Sequence, residues 1–100
     1  MTLILNSLTD IKRALKIPGL TIKVIDHWQS QLEGTTRVPI KVMSDGRYTF
    51  KGPDGRTMWS GMSVQKARDL KFYGDDRVRY YPGTERSWLV QFLPPTGELV

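Results

Sequence analysis

His27 is the only imidazole in the chain and stands between Asp26 and Trp28, so an Asp-His pair is the first arrangement to consider for acid-base chemistry. Neighbouring residues on a strand point to opposite faces, however, and cannot make the side-chain bond that orients a catalytic imidazole. A partly exposed histidine at a strand end is the simpler reading. With no cysteine and no second histidine, a transition-metal site would lack its nitrogen and sulfur ligands. Neither a metal nor a cofactor is expected. Asp54, Asp75 and Asp76 lie in glycine-containing turns, where carboxylates bond nearby backbone. The GPDG at 52 to 55 lacks the Gly-Lys-Ser/Thr end and the following helix of a phosphate loop. No nucleophile has both a base and an orienter in view, and a non-enzymatic protein is expected.

The basic residues carry the stronger signal. Fifteen Lys and Arg against ten Asp and Glu give a formal charge of +5 and a pI near 9.7, a balance that favours association with polyanions. The stretch SDGRYTFKGPDGR, residues 44 to 56, holds two Asp-Gly turns with basic and aromatic side chains between them. In the strand reading, Arg37 and Lys41 share one outward face, and Arg47, Thr49 and Lys51 share that of the next strand. Hairpin pairing would bring the two rows together, extended by Arg56, if Val38, Ile40, Val42, Tyr48 and Phe50 point inward. Such a row could follow a phosphate backbone, with counterion release supplying most of the affinity. The same charges also serve to solvate a sheet face and protect its edge. Trp59, Trp88, Tyr48 and Phe50 fit core positions, whereas Trp28 and one of Tyr80 and Tyr81 must point elsewhere. Trp28 is therefore the candidate anchor for a protein partner.

The elements that must position these residues follow from local patterning. One hundred residues make a single domain, and a hydrophobic share of 39% with 25% charged suits a small packed core. Ser7 reads as an N-cap with Asp10 three residues on, and Leu8, Ile11, Ala14 and Leu15 line one face of a helix over about 8 to 16. Lys12, Arg13 and Lys16 complement its C-terminal end, and Ile17-Pro18-Gly19 stops it. Alternation then predicts strands at about 20 to 26, 36 to 43, 47 to 51, 56 to 60, 77 to 81 and 87 to 93. Pro39 cannot donate to a ladder and marks an edge or bulge in the second of these. Asp45-Gly46 predicts a two-residue type I′ hairpin turn. Residues 62 to 72 predict one or two helical turns capped by Ser63, and 96 to 100 a frayed tail. The fold class expected is α+β: an N-terminal helix, then a strongly bent antiparallel sheet or small SH3-like barrel of five to six strands. A flat, helix-backed sheet is the alternative. The apolar opening MTLIL has no basic n-region and falls far short of the roughly 18 residues of a membrane span. A cytoplasmic protein without a membrane partner is expected.

Several segments together, LTDIKRALKIPGLTIKVI, GTTRVPIKVMSDGRYTF and RTMWSGMSVQKARDLKFYGDDRVRYY, resemble small proteins encoded by bacteriophages and other bacterial mobile elements. The resemblance spans most of residues 8 to 81, with Met62 and Gln65 departing from its pattern. It carries over no activity and no catalytic residue. What it implies is context: a nucleic-acid-binding accessory factor, or a small inhibitor that docks on a host protein.

Overall fold

Ser7 starts the single α-helix among the described residues, α1 (Leu8–Leu15), by accepting from the backbone N–H of Asp10 at 3.2 Å. Asp10 reciprocates, its Oδ2 accepting from the N–H of Asn6 at 3.0 Å, so both sides of the first turn are tied. Ile11, Ala14 and Leu15 are buried, one stripe at helical spacing as the sequence predicts. The computed structural model describes residues 3 to 44, 46 to 52, 54 to 59 and 69 to 95.

The strands are β1 (Thr21–Asp26), β2 (Thr36–Arg37), β3 (Lys41–Val42), β4 (Tyr48–Lys51), β5 (Thr57–Trp59), β6 (Leu70–Phe72), β7 (Arg77–Tyr80) and β8 (Trp88–Leu93). They pair antiparallel in two sheets, one ordered β2-β1-β8-β7-β6 and the other β3-β4-β5. The α+β class is as expected from the sequence. Among the described residues, however, no ladder joins the two sheets, and they stay open rather than closing into a barrel. A single hydrophobic cluster lies between α1 and the sheets, with Ile22, Val24, Val78, Trp88, Val90 and Phe92 at its centre. In β1 the predicted alternation holds: Ile22 and Val24 are buried while Lys23 and Ile25 are exposed.

Two predicted elements change. The strand expected over 36 to 43 is broken at Val38–Ile40, so that β2 pairs with β1 in the large sheet and β3 pairs with β4 in the small one. Pro39 lies in the gap, and a residue without a backbone N–H is where a ladder gives way. Strands that leave one sheet for another turn corners of this kind. The helical turns expected over 62 to 72 are replaced at their C-terminal end by β6, whose Leu70 and Phe72 pair with Tyr80 and Val78. Sheet pairing offers those side chains burial that a helix of so few apolar positions could not. The remainder of that prediction, including Ser63, falls outside the described residues, as does the predicted tail.

The first Asp-Gly turn also differs from expectation. Met43 N–H donates to the Arg47 carbonyl at 2.7 Å, and Gly46 N–H to the Met43 carbonyl at 3.0 Å, with Gly46 at φ 92°. That is a longer hairpin closed by glycine in the left-handed region rather than a two-residue type I′ turn. The second Asp-Gly turn repeats it: Gly52 N–H donates to the Arg56 carbonyl, Gly55 N–H to the Gly52 carbonyl, and Gly55 has φ 83°.

Candidate functional site: a basic sheet face and an arginine-floored cleft

Residues directly paired across an antiparallel ladder share a face. In the small sheet the register sets Lys41 against Thr49 and Thr49 against Trp59, with Lys51 against Thr57. Arg47, two residues before Thr49, belongs to the same face, and its guanidinium lies 5.7 Å from the Trp59 ring centre. Lys41, Lys51 and Trp59 are exposed and Arg47 half-buried. Thr49 sits between the longer side chains of Lys41 and Trp59 and is only 6% exposed. Three of the five candidate basic residues are thus brought onto one face, together with an indole that the sequence reading put in the core. Trp59 is 50% exposed because β5 borders the sheet and its residues are all open to solvent. Arg56 is exposed beside the second turn, its Nε 3.6 Å from Asp54 Oδ2, and its backbone N–H is held by Asp54 Oδ1 at 3.0 Å.

Arg37 departs from the expected row. It pairs with Ile22, a fully core-facing residue, so the register turns its side chain inward rather than toward Lys41. Only 5% of it is exposed. The guanidinium carbon stands 4.2 Å from the centre of the Phe50 ring and 5.0 Å from that of Trp88, which joins the inner faces of the two sheets through cation–π contact. Burial pushes the Tyr48 phenol up from its ordinary range, and the neighbouring Arg37 opposes that shift. Tyr80 is raised as well, by burial first and the neighbouring Tyr48 second. The broken strand has the converse effect on its middle: Val38 and Ile40, expected inward, are 55% and 54% exposed.

Beside Arg37 opens a cleft of about 210 Å³ lined by His27, Trp28, Gln29, Leu32, Phe50, Met58, Trp59, Arg86 and Trp88 as well as Arg37 itself. The His27 ring stacks on Trp28 at 5.3 Å between centres and tilts against Trp88 at 5.6 Å. Its Nδ1 accepts from the backbone N–H of Gln29 at 2.9 Å. Partial burial, then the charge of Arg37, hold its pKa below the ordinary histidine value, against the opposing pull of Asp26 and Glu33. Asp26 turns away from it to Arg79, 3.4 Å distant. The Asp-His pair therefore does not form, in keeping with the strand geometry. Trp28 is exposed, as expected, with Arg86 stacked 5.5 Å over its ring.

Sequence reasoning missed this cleft because its members come from the segment after β1, from β2, β4 and β5, and from β8 with the loop before it. The available signal was Pro39: a strand broken there need not keep Arg37 in phase with Lys41. Among the described residues no group of three or more histidine, aspartate or glutamate side chains comes together, and no helix is long and apolar enough to cross a membrane. No family model, curated protein or solved structure matches the chain.

Proposed function

We propose that this chain is a small, non-enzymatic, phage-type accessory protein that binds nucleic acid weakly and without strong sequence preference. It would act in the cytoplasm of a bacterial or phage-infected cell, through the outer face of the β3-β4-β5 sheet. The observation that carries this reading is the register that sets Lys41, Arg47, Lys51 and the exposed Trp59 on one face. Cations spaced along a sheet neutralise successive phosphates, and an open indole gives bases a surface on which to stack. We read the architecture as SH3-like in kind, with two short antiparallel sheets meeting over one core and a chain that changes sheets at Pro39. Relative to the sequence reading, Arg37 leaves the contact set and Trp59 joins it. Arg56 stays at its margin.

The test is binding to single- and double-stranded nucleic acid across a salt series, for the parent chain and for Lys41→Gln/Arg47→Gln/Lys51→Gln. Each phosphate contact contributes about 0.7 to 0.9 to the slope of log K against log salt, so the triple variant is expected to lower the slope by about 2. An unchanged slope, or no binding at low ionic strength, overturns the reading.

A second reading, a modulator or inhibitor of a host protein complex, is favoured by Val38 and Ile40, two aliphatic side chains turned to solvent, with Trp28 as a further anchor. It predicts a stoichiometric protein partner that survives nuclease treatment and is lost with Val38→Ser/Ile40→Ser.

A further inference from the structure

Among the described residues, one buried side-chain nitrogen or oxygen lacks a hydrogen-bond partner: Nη1 of Arg37. Guanidinium groups keep their charge on burial, and an unused charged donor in a low-dielectric interior is costly. The rings of Phe50 and Trp88 face the plane of Arg37, but neither supplies a negative charge. No described carboxylate pairs with Arg37. The residue lines the 210 Å³ cleft and a smaller neighbour of about 140 Å³, the two sharing Leu32, Phe50 and Met58. Among the described residues around the larger cleft the second arginine is Arg86, none is acidic, and the walls are largely aromatic.

We propose that this cleft is a binding site for a small ligand bearing a terminal oxyanion, phosphate or carboxylate, on a flat ring, with the oxyanion accepting from Arg37 Nη1 and the ring lying against Trp28 and Trp59. Charge selects the first part of the ligand: two arginines face a space with no carboxylate among its described lining residues, and oxyanions are the acceptors that a guanidinium fork holds best. The walls select the second, since indole faces favour flat rings and stack with Arg86 already in place. Depth selects a terminal group. An internal phosphodiester is flanked by chain on both sides and cannot descend to a side chain that is 95% covered, whereas a phosphate monoester or carboxylate at the end of a molecule can. The site lies on the inner side of the small sheet, with Phe50 and Met58, and shares only the edge residue Trp59 with the Lys41 and Arg47 face. Its existence does not depend on nucleic-acid binding by that face.

The experiment is thermal unfolding and tryptophan fluorescence of the full chain titrated with adenosine monophosphate, phenyl phosphate, benzoate, adenosine and inorganic phosphate. A ligand that binds only the folded state raises Tm in a saturable way. The ring-bearing oxyanions are expected to do so at concentrations where adenosine and inorganic phosphate have at most a tenth of the effect; comparison of the two phosphates with benzoate distinguishes the sources. Arg37→Met should weaken binding by roughly thirtyfold or more, as for loss of a buried charged partner. Arg86→Gln, at an exposed position that does not threaten folding, should weaken it by about threefold. The Lys41→Gln/Arg47→Gln/Lys51→Gln variant should retain it. Absence of any shift with all the ring-bearing oxyanions, or a shift that survives both arginine substitutions, overturns the proposal, and inorganic phosphate acting as strongly as phenyl phosphate overturns the aromatic half of it.

Discussion

Arg37 holds a buried cation against the Phe50 and Trp88 rings across the two sheets, with its Nη1 unmatched, so removing the charge and removing the packing should give very different costs. Arg37→Met keeps a long unbranched side chain whose thioether packs on Phe50 and Trp88. It gives up cation–π contact worth about 2 kcal/mol when desolvated, and it removes a buried charge, which apolar replacement commonly repays by about 1 to 4 kcal/mol. This substitution should therefore come out near zero. Arg37→Ala removes the same charge but leaves a cavity between the sheets, and should cost about 2 to 5 kcal/mol more than Arg37→Met, measured by urea unfolding followed through tryptophan fluorescence. Costs that agree within about 0.5 kcal/mol would refute the reasoning.

The remaining predictions concern local devices. Ser7→Ala removes the acceptor of the Asp10 N–H and should cost about 1 kcal/mol in urea unfolding. Gly55→Ala forces a side chain into a left-handed position with open space around it, so the cost is backbone strain alone, about 1 to 2 kcal/mol by the same measurement. His27 is held below its ordinary pKa of 6.5; the unfolded chain therefore binds the proton first, and stability should be full above pH 6.5 and decline as pH falls from 6.5 through the lower folded value. Urea midpoints between pH 5 and 7.5 check this, and His27→Gln should flatten the decline in that interval. Asp75 is also depressed, chiefly by its hydrogen bonds from Arg77, but that contribution is lost only as pH falls below the ordinary carboxylate value of 3.8, so the two windows separate.

Much of the architecture was legible because it is written in short-range signals. The Ser7 cap, the Ile11-Ala14-Leu15 stripe, the alternation of Leu20, Ile22 and Val24 and that of Trp88, Val90 and Phe92 each declare a face without reference to any other segment. The placement of β6 and Trp59 was not. Leu70 and Phe72 have too short a pattern to separate a strand from a helical turn, and the neighbours that decide it, Tyr80 and Val78, come from another strand. Trp59 alternates as a core residue would, yet it lies on the edge strand of a three-stranded sheet whose opposite face receives Tyr48 and Phe50. Hydrophobicity told that a tryptophan wanted cover; it did not tell which face would supply any.

The candidate site turns on one residue, Pro39. It cannot donate to a ladder, yet a strand read through it in a single phase puts Arg37 beside Lys41 and turns Val38 and Ile40 inward. Breaking the ladder frees the phase on either side. β2 then takes its register from β1, where Arg37 meets Ile22, while β3 takes its own from β4, where Lys41 meets Thr49. One interruption thus sends an arginine into the core, exposes two aliphatic side chains, and passes the chain from one sheet to the other. A Pro39→Val variant tests that causal order. If the missing N–H is what keeps the segment out of a ladder, restoring it should let strand pairing extend through 38 to 40 and increase amide protection there in hydrogen exchange. If protection at 38 to 40 is unchanged, the two sheets hold the segment apart for other reasons, and the inward turn of Arg37 is set by the Ile22 register alone.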